Sequence, residues 1–92
     1  MLQGIGSFGW AIQRIKEGAK ITRRAWSNSA YIYYVPANKY PASNNTMGTM
    51  KGEFKDDMVP YGEYIAILNK DRIVIPFSIG QDSALAEDWE EV

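Results

Sequence analysis

The chain contains neither cysteine nor histidine. Without cysteine there is no disulfide framework and no zinc site built on thiolates. Without histidine it lacks the commonest general base and the commonest transition-metal ligand. A nucleophile–histidine triad cannot be assembled. These absences point to a protein that binds rather than catalyses, with no metal and no cofactor. No apolar run approaches the roughly 20 residues that span a bilayer. The start, Met1-Leu2-Gln3-Gly4, lacks the charged and apolar segments of a secretory leader. The expected location is the cytoplasm, with no membrane partner.

What remains is a chain of 92 residues, the size of one small domain. Aromatic residues make up 13% of it, Trp10, Trp26 and Trp89 among them, so material for a core is present. A domain this small buries a modest fraction of its surface, and oligomerisation is a common remedy. The net charge is −1, but it is unevenly placed. Residues 1–52 carry seven basic residues against Glu17 alone, and residues 53–92 carry ten acidic residues against Lys55, Lys70 and Arg72. A basic half can meet an anionic ligand. Equally, the halves can neutralise each other within the fold or between subunits.

Ser7 is placed to cap a helix whose apolar positions Phe8, Ala11, Ile12 and Ile15 share one face. Gly18 suits its C-terminal stop. Strands are expected over residues 19–24, over 31–35 with Pro36 ending the run, and over 64–68 and 72–77. Asn69-Lys70-Asp71 is the hairpin turn between the last two. Residues 37–52 form a long polar loop, and Asp82 or Ser83 caps a short helical turn through Glu87. The fold class is α+β: one N-terminal helix packed on a small antiparallel sheet, with a short C-terminal helical turn.

Several motifs carry chemistry. Gly4-Ile5-Gly6-Ser7-Phe8-Gly9 matches the dinucleotide pattern G-x-G-x-x-G, but only three residues precede it and no parallel crossover follows. It is better read as a helix start. Arg23-Arg24-Ala25-Trp26 sets two guanidinium groups beside an indole, a pairing suited to phosphate and base. The plainer reading is a charge pair on an edge strand followed by a core tryptophan. Tyr31, Tyr33, Tyr34 and Tyr40 do not form one stacking platform, because alternation sends Tyr34 to the face opposite Tyr31 and Tyr33. Asp56-Asp57 cannot chelate together on an extended segment, and Glu87, Asp88, Glu90 and Glu91 read as a solvated acidic tail. Asn44-Asn45-Thr46 fits a glycosylation pattern without meaning in a cytoplasmic chain.

Three stretches carry a family resemblance: residues 7–12 with Lys16-Glu17-Gly18 and Ile21-Thr22-Arg23-Arg24-Ala25-Trp26; Tyr31-Ile32-Tyr33-Tyr34-Val35-Pro36; and residues 75–82 followed by Leu85-Ala86-Glu87-Asp88-Trp89. The sequence resembles the Thoeris anti-defence 2 family of phage and prophage proteins. Phe77 stands where that family usually has tryptophan. The resemblance implies a sponge: a protein that binds a cyclic ADP-ribose isomer, the signal of a bacterial immune system, without cleaving it. It also implies homo-oligomers, dimeric or tetrameric, with pockets shared between subunits, and some relatives that take other cyclic oligonucleotides. Sorted by chemistry, Phe8, Trp26, Tyr40 and Phe77 would stack on adenine. Arg23, Arg24 and the N–H groups near Ser7 would meet the pyrophosphate. Asn38, Ser78, Gln81 and Asp82 would hold ribose hydroxyls. The competing class is a small nucleic-acid-binding module, which the basic, aromatic first half favours and the slightly negative net charge disfavours.

Overall fold

The computed structural model describes residues 4–42 and 50–92. Its first element is helix α1, Phe8–Lys16. Ser7 begins it as expected: its hydroxyl oxygen accepts from the Trp10 N–H at 3.1 Å. The end is a paired-turn stop. Gly18 adopts φ +98°, and the Ala19 N–H reaches back to the Arg14 carbonyl at 3.0 Å. Ala11 and Ile15 are buried on the inward face.

That face lies on a five-stranded antiparallel sheet. The strands are β1 (Ile21–Arg23), β2 (Tyr31–Val35), β5 (Tyr64–Leu68), β6 (Val74–Pro76) and β7 (Trp89–Glu91), in the spatial order β6-β5-β2-β1-β7. Two more strands, β3 (Asn38–Pro41) and β4 (Met58–Tyr61), form a separate two-stranded ribbon between β2 and β5. A second short helix, α2 (Gln81–Leu85), precedes β7. Ile32 of β2 pairs with Ile21 of β1 and, with Ala11, Ile15 and Trp89, builds the core under α1. Tyr34 packs against that core, so Tyr31 and Tyr33 look to the opposite face.

Several expectations are corrected. The first strand is shorter than residues 19–24, because a tight helical turn at Arg24–Trp26 ends it. The span 37–52 is not all loop: β3 lies in it and pairs with the unforeseen β4, Tyr40 opposite Val59. Asn44-Asn45-Thr46 lies outside the described residues. Asp56 and Asp57 sit in a tight turn with φ of 58° and 54°, not in an extended segment. The last strand candidate contracts to Val74–Pro76, with Pro76 on the sheet edge where its missing N–H costs nothing. α2 begins after Gly80 and ends at Leu85, and no side chain caps its start.

The largest correction concerns the acidic tail. Residues 89–91 are β7, paired with β1 through Arg23–Trp89, Thr22–Glu90 and Ile21–Glu91. The charges of the two halves therefore meet within one chain. Arg14 pairs with Glu91 at 2.7 Å and Arg23 with Asp88 at 2.8 Å. The ribbon stands apart from this body. Every residue of β3 is exposed. The Cα radius of gyration is 16.1 Å, against about 12 Å for a compact domain of this length.

Gly6 joins the two ends of the fold. Its carbonyl accepts the Trp89 N–H at 3.0 Å. Its φ is +98°, and a Cβ there would sit 2.5 Å from the Glu87 carbonyl oxygen. Gly18 has the same φ with open space around it. Gly6→Ala is therefore expected to cost about 3 kcal/mol, from the left-handed backbone plus the clash, and Gly18→Ala about 1 kcal/mol, from the backbone alone. In thermal melts the first substitution should lower Tm by well over 10 °C and the second by about 4–8 °C.

Candidate functional site

Two regions collect the residues whose chemistry suits a nucleotide. The first surrounds Trp89, which is 2% exposed. Phe8 lies 5.5 Å from its ring, Trp26 meets it edge-on at 5.3 Å, and Phe77 meets it edge-on at 6.5 Å. The Arg23 guanidinium carbon lies 5.9 Å above the same ring. The structure thus gathers Phe8, Arg23, Trp26 and Phe77, but around another side chain. None of the four is fully exposed.

Asp88 organises this region. One carboxylate oxygen accepts from Arg23 Nε at 2.8 Å and the other from the Ala25 N–H at 2.9 Å. The Asp88 carbonyl takes the Arg24 N–H at 3.0 Å. The Arg24–Trp26 turn is held from both sides by one residue. Hydrogen bonding from Arg23, then from the Ala25 N–H, keeps the Asp88 carboxyl below the usual carboxylate range. Arg23 also donates to Ser83 Oγ at 3.2 Å, which ties α2 to the sheet. Arg24 points outward, its nearest carboxylate being Glu90 at 3.8 Å. Ser78, Gln81 and Asp82 are exposed along the approach to α2 and its first turn. No helix among the described residues is long and apolar enough to cross a membrane.

The second region is a hollow of about 300 Å³ at the base of the ribbon. Its walls are tyrosine: Tyr40 of β3, Tyr61 of β4 and Tyr64 of β5, all more than 40% exposed. Tyr40 and Tyr61 lean together with ring centroids 5.7 Å apart. Val35, Pro36, Gly62 and Asn38 complete the lining. The Asn38 side-chain oxygen accepts from the Lys39 N–H at 2.8 Å, which turns its NH₂ toward the Tyr40 hydroxyl. Asn38 and Tyr40 therefore share one cavity. Phe8, Trp26 and Phe77 pack instead against the core that contains Trp89, and the Arg24–Trp26 turn leaves β1 beside the end of β2 opposite the ribbon.

The hollow can grip an aromatic ring by stacking and offer it an amide. Among the described residues that line it there is no lysine or arginine. Tyr61 and Tyr64 were missed by sequence reading. The available signal was Tyr61-Gly62-Glu63-Tyr64, a turn flanked by two aromatics after Pro60, which marks a short connection between two strands. A different notch, of about 370 Å³, lies where Lys16, Lys20, Tyr31 and Tyr33 come together, and Lys20 Nζ sits 5.4 Å above the Tyr31 ring.

The comparisons with known proteins agree with this geometry in extent. The sequence model of the Thoeris anti-defense 2-like domain matches residues 6–92. That span begins at Gly6, the residue that receives the Trp89 N–H, and takes in both regions described above. The chain is also 29% identical over 86 residues to "Thoeris anti-defense 2" of Bacillus phage SP01, covering 94% of this chain and 93% of that protein.

The Asp88 clamp has a pH signature. Its carboxyl is harder to protonate in the folded chain than in the unfolded one. The stabilisation is therefore complete above the ordinary carboxylate pKa of about 4 and is lost as pH falls through the lower folded value. Asp88→Asn should lower Tm at pH 7, and the gap to the parent should close as melts are repeated below about pH 4. A gap independent of pH would mean that the charge of Asp88 plays no part.

Proposed function

Because the chain belongs to the Thoeris anti-defense 2-like family, we propose that it is a phage anti-defence protein. On this reading it binds and sequesters a nucleotide immune signal, a cyclic ADP-ribose isomer, inside the host cell and does not cleave it. The observation that carries the proposal is the tyrosine-walled hollow with Asn38 at its edge. It fits one base with its ribose, since pockets for small ligands begin at about 300 Å³. Base stacking on an aromatic wall contributes about 1–3 kcal/mol per base. The chain's lack of histidine and cysteine suits a binder that returns its ligand unchanged.

A signal with a pyrophosphate is larger than one base, and the hollow supplies no cation of its own. A site completed by a second subunit answers both needs and fits the proposed homo-oligomer, a dimer or a dimer of dimers. Ser78, Gln81 and Asp82 are exposed, but they belong to the approach to α2 and its first turn and are not among the residues that line the hollow. Phe8, Arg23 and Trp26 serve this function indirectly, by holding the scaffold through Trp89 and Asp88.

The purified protein should bind cyclic ADP-ribose or one of its isomers by calorimetry and release it intact on denaturation. Recovery of linear ADP-ribose would sink the sponge reading in favour of an enzyme. Tyr64→Ala should weaken binding at least tenfold with little change in Tm. Trp26→Ala should instead lower Tm through loss of its contacts with Trp89 and Phe77. If Trp26→Ala stays as stable as the parent and loses the ligand while Tyr64→Ala keeps it, the site lies at the tryptophan cluster. Tight, strongly salt-dependent binding of short single-stranded oligonucleotides would favour the nucleic-acid module instead.

A further inference from the structure

The ribbon and the large sheet share one register. Val35 of β2 pairs with Tyr64 of β5, and Asn38 of β3 pairs with Tyr61 of β4. The second pair lies three residues on along both strands, so nothing is inserted on either side. The ribbon is therefore the β2–β5 ladder resumed after a gap, in which Pro36 and Ala37 stand opposite Gly62 and Glu63. These four residues form a joint. Pro36 gives one cause for the gap, since it has no N–H to donate to a ladder.

The tyrosine hollow straddles this joint. Asn38, Tyr40 and Tyr61 come from the ribbon, Val35 and Tyr64 from the sheet, and Pro36 and Gly62 from the joint itself. A ring seated there touches both bodies. The angle at the joint thus sets the width of the hollow, and no ladder pairing fixes that angle between Val35–Tyr64 and Asn38–Tyr61.

One contact does bear on it. Among the described residues, a single side-chain hydrogen bond runs from the joint to the sheet: the Tyr34 hydroxyl donates to the Glu63 carboxylate. Glu63 lies two residues before Ile65, the ladder partner of Tyr34, so both side chains stand on the face under α1. The Tyr34 ring packs against the core, which gives the bond a fixed end. Donating to Glu63 holds the Tyr34 hydroxyl above the ordinary tyrosine pKa, and burial acts in the same direction. The hydroxyl therefore keeps its proton at neutral pH. Neither Tyr34 nor Glu63 lines the hollow. Lys16 of α1 shares a cleft of about 200 Å³ with the pair and is the other charged residue along it.

We propose that Tyr34 and Glu63 are positioning residues for the hollow: their hydrogen bond, on the opposite face of the sheet, locks the joint and holds the tyrosines of the ribbon in place against Tyr64. The lock stands on geometry alone; its effect on a ligand rests on the function proposed above. Tyr34→Phe removes the donor and leaves the ring on the core. Glu63→Ala removes the acceptor and with it any pairing to Lys16. Amides of β3 and β4 should show order parameters of about 0.85 in the parent and below about 0.6 in both variants by nuclear magnetic relaxation, while those of β1 and β7 hold. A joint open about four times in five lowers apparent affinity about fivefold, which is the loss expected for the cyclic ADP-ribose isomer in both variants. Glu63→Gln keeps an acceptor for the hydroxyl and should match the parent in both measurements. Ribbon amides already disordered in the parent, or as ordered in the two variants as in the parent, overturn the lock. So does a Glu63→Gln protein that behaves like Glu63→Ala. A loosened ribbon with parental affinity overturns the positioning role. Should the ribbon loosen as expected while the parent binds no cyclic ADP-ribose isomer, the lock stands and the ligand falls together with the proposed function.

Discussion

The structure depends on the burial of one indole. Trp89 is contacted by the first helix through Phe8, by the Arg24–Trp26 turn through Trp26, and by the approach to α2 through Phe77. Its ring N–H donates to the Ser83 carbonyl and its backbone N–H to Gly6. The apolar ring supplies burial that a domain of this size can hardly obtain elsewhere. The two hydrogen bonds remove the cost of burying its polar groups. Remove the ring, and the N-terminal segment, the Arg24–Trp26 turn and α2 have nothing in common to pack on. The Arg23–Asp88 pair lies over one side of this core and keeps its carboxylate bonded, as a half-buried charge requires.

A division of labour follows. Arg23 and Trp26, whose side chains look suited to a nucleotide, are consumed in building the scaffold, while Arg24 faces outward. The exposed tyrosines, which look like ordinary sheet residues, are left free around a cavity. The chain then offers aromatic walls in one place and cations in another, at the notch near Lys20. Anionic ligands need both together. On the function proposed above, a second subunit would bring the two together.

Much of the body was legible in the sequence because local rules agree with the tertiary structure there. Ser7 and Gly18 bracket α1, the apolar spacing of Ala11 and Ile15 sets its inward face, and Pro36 ends β2. The ribbon was not legible. Asn38-Lys39-Tyr40-Pro41 has weak strand propensity and exposes every residue, so no apolar alternation marks it. β7 was hidden by composition: Glu90 and Glu91 resemble a solvated tail, and only the pairing of β1 with β7 reveals that basic side chains wait opposite. Site residues were recovered by type and scattered by topology. Asn38 and Tyr40 share a cavity, but Phe8, Trp26 and Phe77 turn inward to Trp89, a residue whose motif was noticed and whose central place was not. Which aromatic is a wall and which is a core cannot be told from identity alone, since both uses ask for the same ring.

The pairing of β7 with β1 has a kinetic side. Arg14 with Glu91, Gly6 with Trp89 and Arg23 with Asp88 join residues separated by most of the chain. Local contacts cannot assemble this core in advance. The helix can form and dissolve within microseconds, but it has little to rest on until the two ends of the domain find each other. The entropy of closing so long a loop must be lost before the indole is buried. A protein of this topology belongs with the slower two-state folders, on the millisecond-to-second scale, despite its small size.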